Sequence, residues 1–126
     1  MLENIRHEIE LAWQNETSLE KIFSQIWELE FKVPKEDLRQ INQTAFDLAT
    51  ARKTEDLHSY ALAQVTFGIF YFYTSDYKQA LEHHLGALDN FRLLNNESGI
   101  GLSYMNMGAT YRSLGDLDLA IILRTG

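Results

Sequence analysis

Residues 103–121 read SYMNMGATYRSLGDLDLAI, and two features of this stretch decide how the rest of the chain is understood. Gly108 stands inside an otherwise helical run, where a glycine costs up to about 1 kcal/mol relative to alanine, so its presence needs a reason. Gly115 followed by Asp116 pairs a natural left-handed helix terminator with a natural N-cap, which marks a joint. Shifting the chain by 40 residues lays a second version of the pattern over the first: Phe67 meets Met107, Gly68 meets Gly108, Tyr71 meets Tyr111, Asp76 meets Asp116, Ala80 meets Ala120 and Leu81 meets Ile121. A further shift brings Trp27 under Phe67, Phe31 under Tyr71, Ile41 under Leu81 and Leu48 under Leu88. The repeating unit is a helix pair: 21–33 with 35–53, 57–73 with 76–94, and 99–114 with a helix opening at Leu117.

Close approach of the partner helix is the simplest reason for Gly68 and Gly108, with Ala80 and Ala120 as the small residues facing them. Tyr71 and Tyr111, one turn later, fill the space alongside. Each pair alone leaves an apolar face bare, so the stacking of neighbours builds the core. The remaining punctuation agrees. Residues 2–13 carry Leu2, Ile5, Ile9 and Trp13 at helical spacing. Thr17 and Glu20 form a capping box. Pro34 ends one helix and suits the first turn of the next. Thr74-Ser75-Asp76 and Asn95-Asn96-Glu97-Ser98 break the pattern, with Ser98 expected as an N-cap. The aromatic run Phe67 to Tyr73 has strand propensity, yet no partner strand exists and its flanks are helical, so helix is expected.

Composition narrows the function classes. Eleven Lys and Arg against eighteen Asp and Glu give a net charge of −7, the wrong sign for a phosphate-backbone binder. The absence of cysteine excludes disulfide scaffolds, thiolate metal sites and a thiol nucleophile. No apolar run approaches the roughly 20 residues of a membrane span. The charged start MLENIRHEIE carries no secretory signal, and an acidic polar face on this helix is wrong for an anionic membrane. A cytoplasmic protein that binds neither nucleic acid nor membrane is expected.

These residues resemble the tetratricopeptide repeat, whose pattern runs W-x2-L-G-x2-Y and then Ala. One unit here reads Tyr104-x2-Met107-Gly108-x2-Tyr111 with Ala120 following. The other reads Gln64-x2-Phe67-Gly68-x2-Tyr71 with Ala80 following, at the same spacing. The chain departs from the pattern at His84, where an aromatic is usual, and at Glu28, where Gly is usual. It also lacks the late proline, and its period of 40 exceeds the usual value of about 34. The long period is similar to that of arrays in bacterial regulators and animal polarity adaptors. The irregular leading region resembles the N-terminal sensory segments of bacterial diguanylate cyclases, adenylate cyclases and histidine kinases. The resemblance implies an all-α superhelix, a solenoid of antiparallel helix pairs. One domain over 1–126 is expected: a leading helix at 1–17, a degenerate repeat at 18–55, a repeat at 56–95 and a truncated repeat at 96–126.

In such solenoids the first helix of each pair lines the concave face. That assigns Leu62, Val65, Ile69 and Phe72 from one unit, and Leu102, Met105, Asn106, Ala109 and Arg112 from the next. The face is mostly apolar and suits an extended or helical peptide. The alternative is that these side chains are core, covered by the leading helices or by a second copy of the chain. Catalytic residues are not expected: there is neither a nucleophile elbow nor a Gly-rich phosphate loop. No cofactor is expected either, since packing between repeats accounts for the aromatics at 67–77. His83 and His84 point about 100° apart on a helix and do not share a metal. His84 replaces a packed aromatic and reads as a core imidazole, and the trio Glu3, His7 and Glu10 reads as a solvated face. The short last segment suggests a fragment of a longer array, with a homodimer as the consequence. The expected function is a protein-interaction and sensory scaffold in a bacterial signalling protein. The alternative is a dimerisation segment of a nucleotide cyclase or histidine kinase whose catalytic domain lies beyond residue 126.

Overall fold

The computed structural model describes residues 32–125, together with His7, Leu11, Ile26 and Glu28, and describes side chains as far as Gly115. The expected leading helix and most of the segment 21–33 therefore lie outside the described residues. Four helices follow one another: α1 (Lys35–Ala51), α2 (Leu57–Tyr73), α3 (Tyr77–Leu93) and α4 (Glu97–Thr125). No strand occurs among the described residues, and the aromatic run 67–73 is helical. None of the described helices is long and apolar enough to cross a membrane.

The starts of α2, α3 and α4 are chemically alike, and that of α1 differs. Pro34 precedes α1, with Glu36 and Asp37 in its first turn facing the positive end of the dipole. The Asp56 carboxylate opens α2 by accepting from the Ser59 N–H at 3.0 Å and from the Ser59 hydroxyl at 2.7 Å. Asp76 opens α3, accepting from the Gln79 N–H at 3.3 Å. Asn96 opens α4, accepting from the Gly99 N–H at 3.0 Å. The cap expected at Ser98 is thus moved two residues back. Asparagine is among the best N-caps, and once it holds the Gly99 amide, Ser98 falls inside the first turn. The three capping residues stand 20 positions apart, so the 40-residue unit contains a half-period marked by Asp or Asn.

Two helix ends share one device. After α2 the Asp76 N–H reaches the Tyr71 carbonyl at 2.8 Å and the Ser75 N–H reaches the Phe72 carbonyl at 3.0 Å. After α3 the Asn96 N–H reaches the Phe91 carbonyl, and the Asn95 N–H the Arg92 carbonyl, both at 3.0 Å. These are Schellman motifs, closed by the left-handed residues Ser75 (φ 65°) and Asn95 (φ 52°).

The third such place behaves differently. The joint expected at Gly115-Asp116 and the separate helix expected from Leu117 are absent: α4 runs unbroken to Thr125, and no described glycine has positive φ. Glycine permits the left-handed turn but does not demand it. The turns at 75 and 95 are rewarded because the following helix packs back on its predecessor, α3 on α2 and α4 on α3. At 115, staying helical retains a backbone hydrogen bond per added residue against a glycine cost of about 1 kcal/mol.

Each helix packs on the one before it, and α2 also touches α4, the corresponding helix of the next unit. One core cluster joins Ile26, Leu38, Ile41, Ala45 and Ala49 to Ala63, Phe67 and Phe70. Above it lies an aromatic stack in which the Phe67, Tyr71 and His83 rings are nearly parallel, with centroids 4.8 Å (Phe67–Tyr71) and 5.5 Å (Tyr71–His83) apart. The second cluster joins Ala61 and Val65 to Ala87 and Phe91, with Ile100 and Leu102 against it. Ala80 is fully buried, as expected of the small residue facing α2. Gly68 and Gly108, however, have unlike surroundings. A Cβ at Gly68 would lie 2.7 Å from His84 Cε1, whereas one at Gly108 would meet nothing within 4 Å. The residue matching His84 by the 40-residue shift is Arg124, which belongs to the part of α4 that continues straight on. Tyr111 is correspondingly half exposed, and the Ala120 side chain lies outside the described residues.

Candidate functional site

A cavity of about 290 Å³ opens between α2, α3 and α4. α2 supplies Ile69, Phe72 and Tyr73, α3 supplies His84, and α4 supplies Leu102, Met105, Asn106 and Ala109. The four residues of α4 fall at i, i+3, i+4 and i+7, which places them on one helix face. Gly68 is what lets α3 come close beneath: the His84 ring occupies the space a side chain at 68 would fill. The walls are apolar. Met105 (65 % exposed) and Tyr73 stand at the mouth, and His84 (1 % exposed) lies at the bottom.

Two polar atoms here lack hydrogen-bond partners: His84 Nδ1 and Asn106 Nδ2. Burial, with a smaller contribution from neighbouring His83, pushes the His84 pKa down to about 4, so the ring is neutral at physiological pH. His83 is also shifted down by burial, but its ring belongs to the aromatic stack with Phe67 and Tyr71. The adjacent imidazoles thus both meet α2, His83 on the rings of Phe67 and Tyr71 and His84 on Gly68. Among the described residues no group of three or more His, Asp or Glu is placed to hold a metal.

Six of the nine residues assigned to the concave face from sequence line this one cavity: Ile69, Phe72, Leu102, Met105, Asn106 and Ala109. The other three lie elsewhere. Val65 is 1 % exposed inside the second core cluster. Leu62 is half-buried and packs against both clusters. Arg112 is exposed one turn beyond Ala109 and does not line the cavity. Sequence reasoning missed Tyr73 and His84 as lining residues. The signal for His84 was present, because a histidine four residues after Ala80 and opposite Gly68 reaches past the missing Cβ. The outer side is fastened separately: Arg92 donates to the Tyr104 hydroxyl and sits over its ring, and Asn90 donates to Gln64 Oε1 at 2.8 Å across α2 and α3.

A groove walled by α2 and α4, helices that hold matching places in the 40-residue repeat, and floored by the α3 that joins them defines a helical-repeat binding module. The family profile of the tetratricopeptide repeat matches residues 59–123, just over half of the chain. The chain belongs to the tetratricopeptide repeat family, whose members generally mediate protein–protein interactions as non-catalytic scaffolds. No curated protein and no solved structure matches it significantly.

Proposed function

We propose that the chain is a cytoplasmic interaction and sensory module that holds a segment of a partner protein in the groove between α2 and α4. The observation that carries this reading is the convergence on one open cavity of six residues assigned to the concave face by the repeat register. The exposed Tyr73 and Met105 at its mouth offer anchors for a helical or extended peptide. The 40-residue period and the irregular leading region support a long-period array of the kind that precedes catalytic domains in bacterial signalling proteins.

The test is selection of random displayed peptides on the 126-residue chain, followed by measurement of the selected peptides on Phe72→Glu and Met105→Glu. Both positions are solvent-accessible enough to take a carboxylate without unfolding the core. Binding falls at least about tenfold in both variants while far-UV circular dichroism is unchanged. Equal binding by both variants puts the interaction outside the groove. A second reading, self-association, is favoured by the outer face of α4, where Tyr104 and Tyr111 are exposed around an open Gly108. Sedimentation equilibrium over a wide concentration range decides it, a strict monomer ruling it out.

A further inference from the structure

α2 and α4 hold matching places in the repeat, and each buries one side against the helix before it. On α2 this side carries Ala63, Phe67 and Phe70, and on α4 their counterparts Ser103, Met107 and Thr110 are buried as well. The other side differs. Ala61, Gln64 and Gly68 of α2 are buried: Ala61 shares a core cluster with Ala87 and Phe91 of α3, Asn90 of α3 donates to Gln64, and the His84 ring fills the space beside Gly68. Their counterparts on α4, Gly101, Tyr104 and Gly108, are exposed, and so is Tyr111, the counterpart of Tyr71. A Cβ at Gly101 or Gly108 would meet nothing within 4 Å. This side of α4 continues the α2–α3 interface by one repeat, and no described helix covers it.

The sequence supplies the helix that fits there. Residues 117–121 read LDLAI and fall on YKQAL at 77–81, where α3 begins, so that Ala120 matches Ala80, the fully buried residue of α3. Within one chain this segment does not reach the face, because α4 is unbroken to Thr125 and Ala120 stands about 18 Å beyond Gly108 along the same axis. Taking the self-association reading further, we propose that two copies form a helix-swapped dimer, in which residues 117–125 of one lie on the face of the other that runs from Gly101 to Tyr111, and reciprocally.

The register of the α2–α3 contacts fits this arrangement. Gly68 meets His84, Tyr71 stacks on His83 and Gln64 pairs with Asn90, all mirrored about Asp76-Tyr77. One repeat later the mirror falls at Asp116-Leu117, inside the unbroken helix. Two straight α4 helices laid antiparallel and crossing there pair Gly108 with Arg124 and Tyr111 with Leu123 between copies. A hairpin turning at Gly115 makes the same pairings within one chain, and it is the competing state. The straight helix keeps the backbone hydrogen bonds that the turn gives up, and the second copy restores the packing.

The chain has no cysteine, so an introduced pair reports one contact without background. Sedimentation equilibrium of the unaltered 126-residue chain gives two copies per particle, and the double variant Tyr111→Cys/Leu123→Cys, once oxidised, runs as a disulfide-linked dimer on a non-reducing gel. Leu117→Pro separates the two connections. Proline inside a continuous helix breaks it, whereas the first position of a returning helix accepts it. The substitution raises the dimer dissociation constant at least about a hundredfold, and Gly115→Ala, which favours the straight helix, lowers it. A disulfide formed within one chain reveals the hairpin and overturns the swap. A dimer that does not cross-link, or that keeps its dissociation constant in Leu117→Pro, also overturns it and leaves self-association standing through another contact. A strict monomer removes both. None of these outcomes decides the peptide-groove reading, which depends on Phe72→Glu and Met105→Glu.

Discussion

Gly68 and Gly108 occupy the same place in two copies of one sequence pattern, yet the first is sealed by a buried imidazole and the second faces open space. The difference arises downstream of each glycine. Beyond Gly68 the chain makes a left-handed turn at Ser75 and returns as α3, delivering Ala80 and His84 to α2. Beyond Gly108 the chain reaches Gly115, the residue best suited to such a turn, and continues straight. A glycine in a repeat is therefore a permission, and the element that packs back determines whether it is used.

The largest test of this contrast is acidification. His84 has its pKa lowered from 6.5 to about 4, so the native ring stays neutral where the unfolded chain takes up a proton. Protons then favour unfolding. This contribution to stability is complete above pH 6.5 and is lost as pH falls toward 4, amounting to roughly 3 kcal/mol. Urea unfolding at several pH values measures it, and His84→Leu flattens the profile across that window. An unchanged slope in His84→Leu removes the imidazole from the explanation.

Next in size is Gly68→Ala, which sets a methyl 2.7 Å from the buried His84 ring and costs about 1–3 kcal/mol. Pairing it with His84→Ala recovers most of that loss, a coupling that a double-mutant cycle reads directly. Gly108→Ala goes the other way: with nothing within 4 Å, it gains helix propensity of up to about 1 kcal/mol and raises the thermal midpoint. Gly115→Ala sharpens the comparison further. In a continuous helix it stabilises by about the same amount, whereas in a left-handed turn it destabilises. The smallest effect is loss of a cap: Asp56→Ala removes two hydrogen bonds at the start of α2 and costs about 1 kcal/mol.

Much of this architecture is legible in the sequence because its punctuation is chemical. The α2 boundaries follow directly from Asp56 at one end and Thr74-Ser75-Asp76 at the other, and the groove residues of α4 follow from helical spacing once the register is known. Legibility fails where an outcome depends on a neighbour. Val65 and Ile69 are both apolar positions of α2, and only the packing of α1, α3 and α4 around that helix sends one to the core and the other to the cavity. His83 and His84 are adjacent and alike, and the difference between an aromatic stack and a cavity floor is a turn of about 100° on α3. Gly115 misleads for the same reason, since its local preference is real and the packing that would reward it is not present.

α1, α2 and α3 are each 17 residues long, and three-residue links follow α2 and α3. Rods cut to one length between left-handed stops act as a ruler, and that restricts how the gene can change. A single-residue insertion in α3 ahead of His84 rotates everything beyond it by about 100° and slides it 1.5 Å, which carries His84 away from Gly68 and Asn90 away from Gln64 at once. Indels are therefore tolerated in the five-residue link between α1 and α2 far better than within a rod, and the array lengthens or shortens by whole rods.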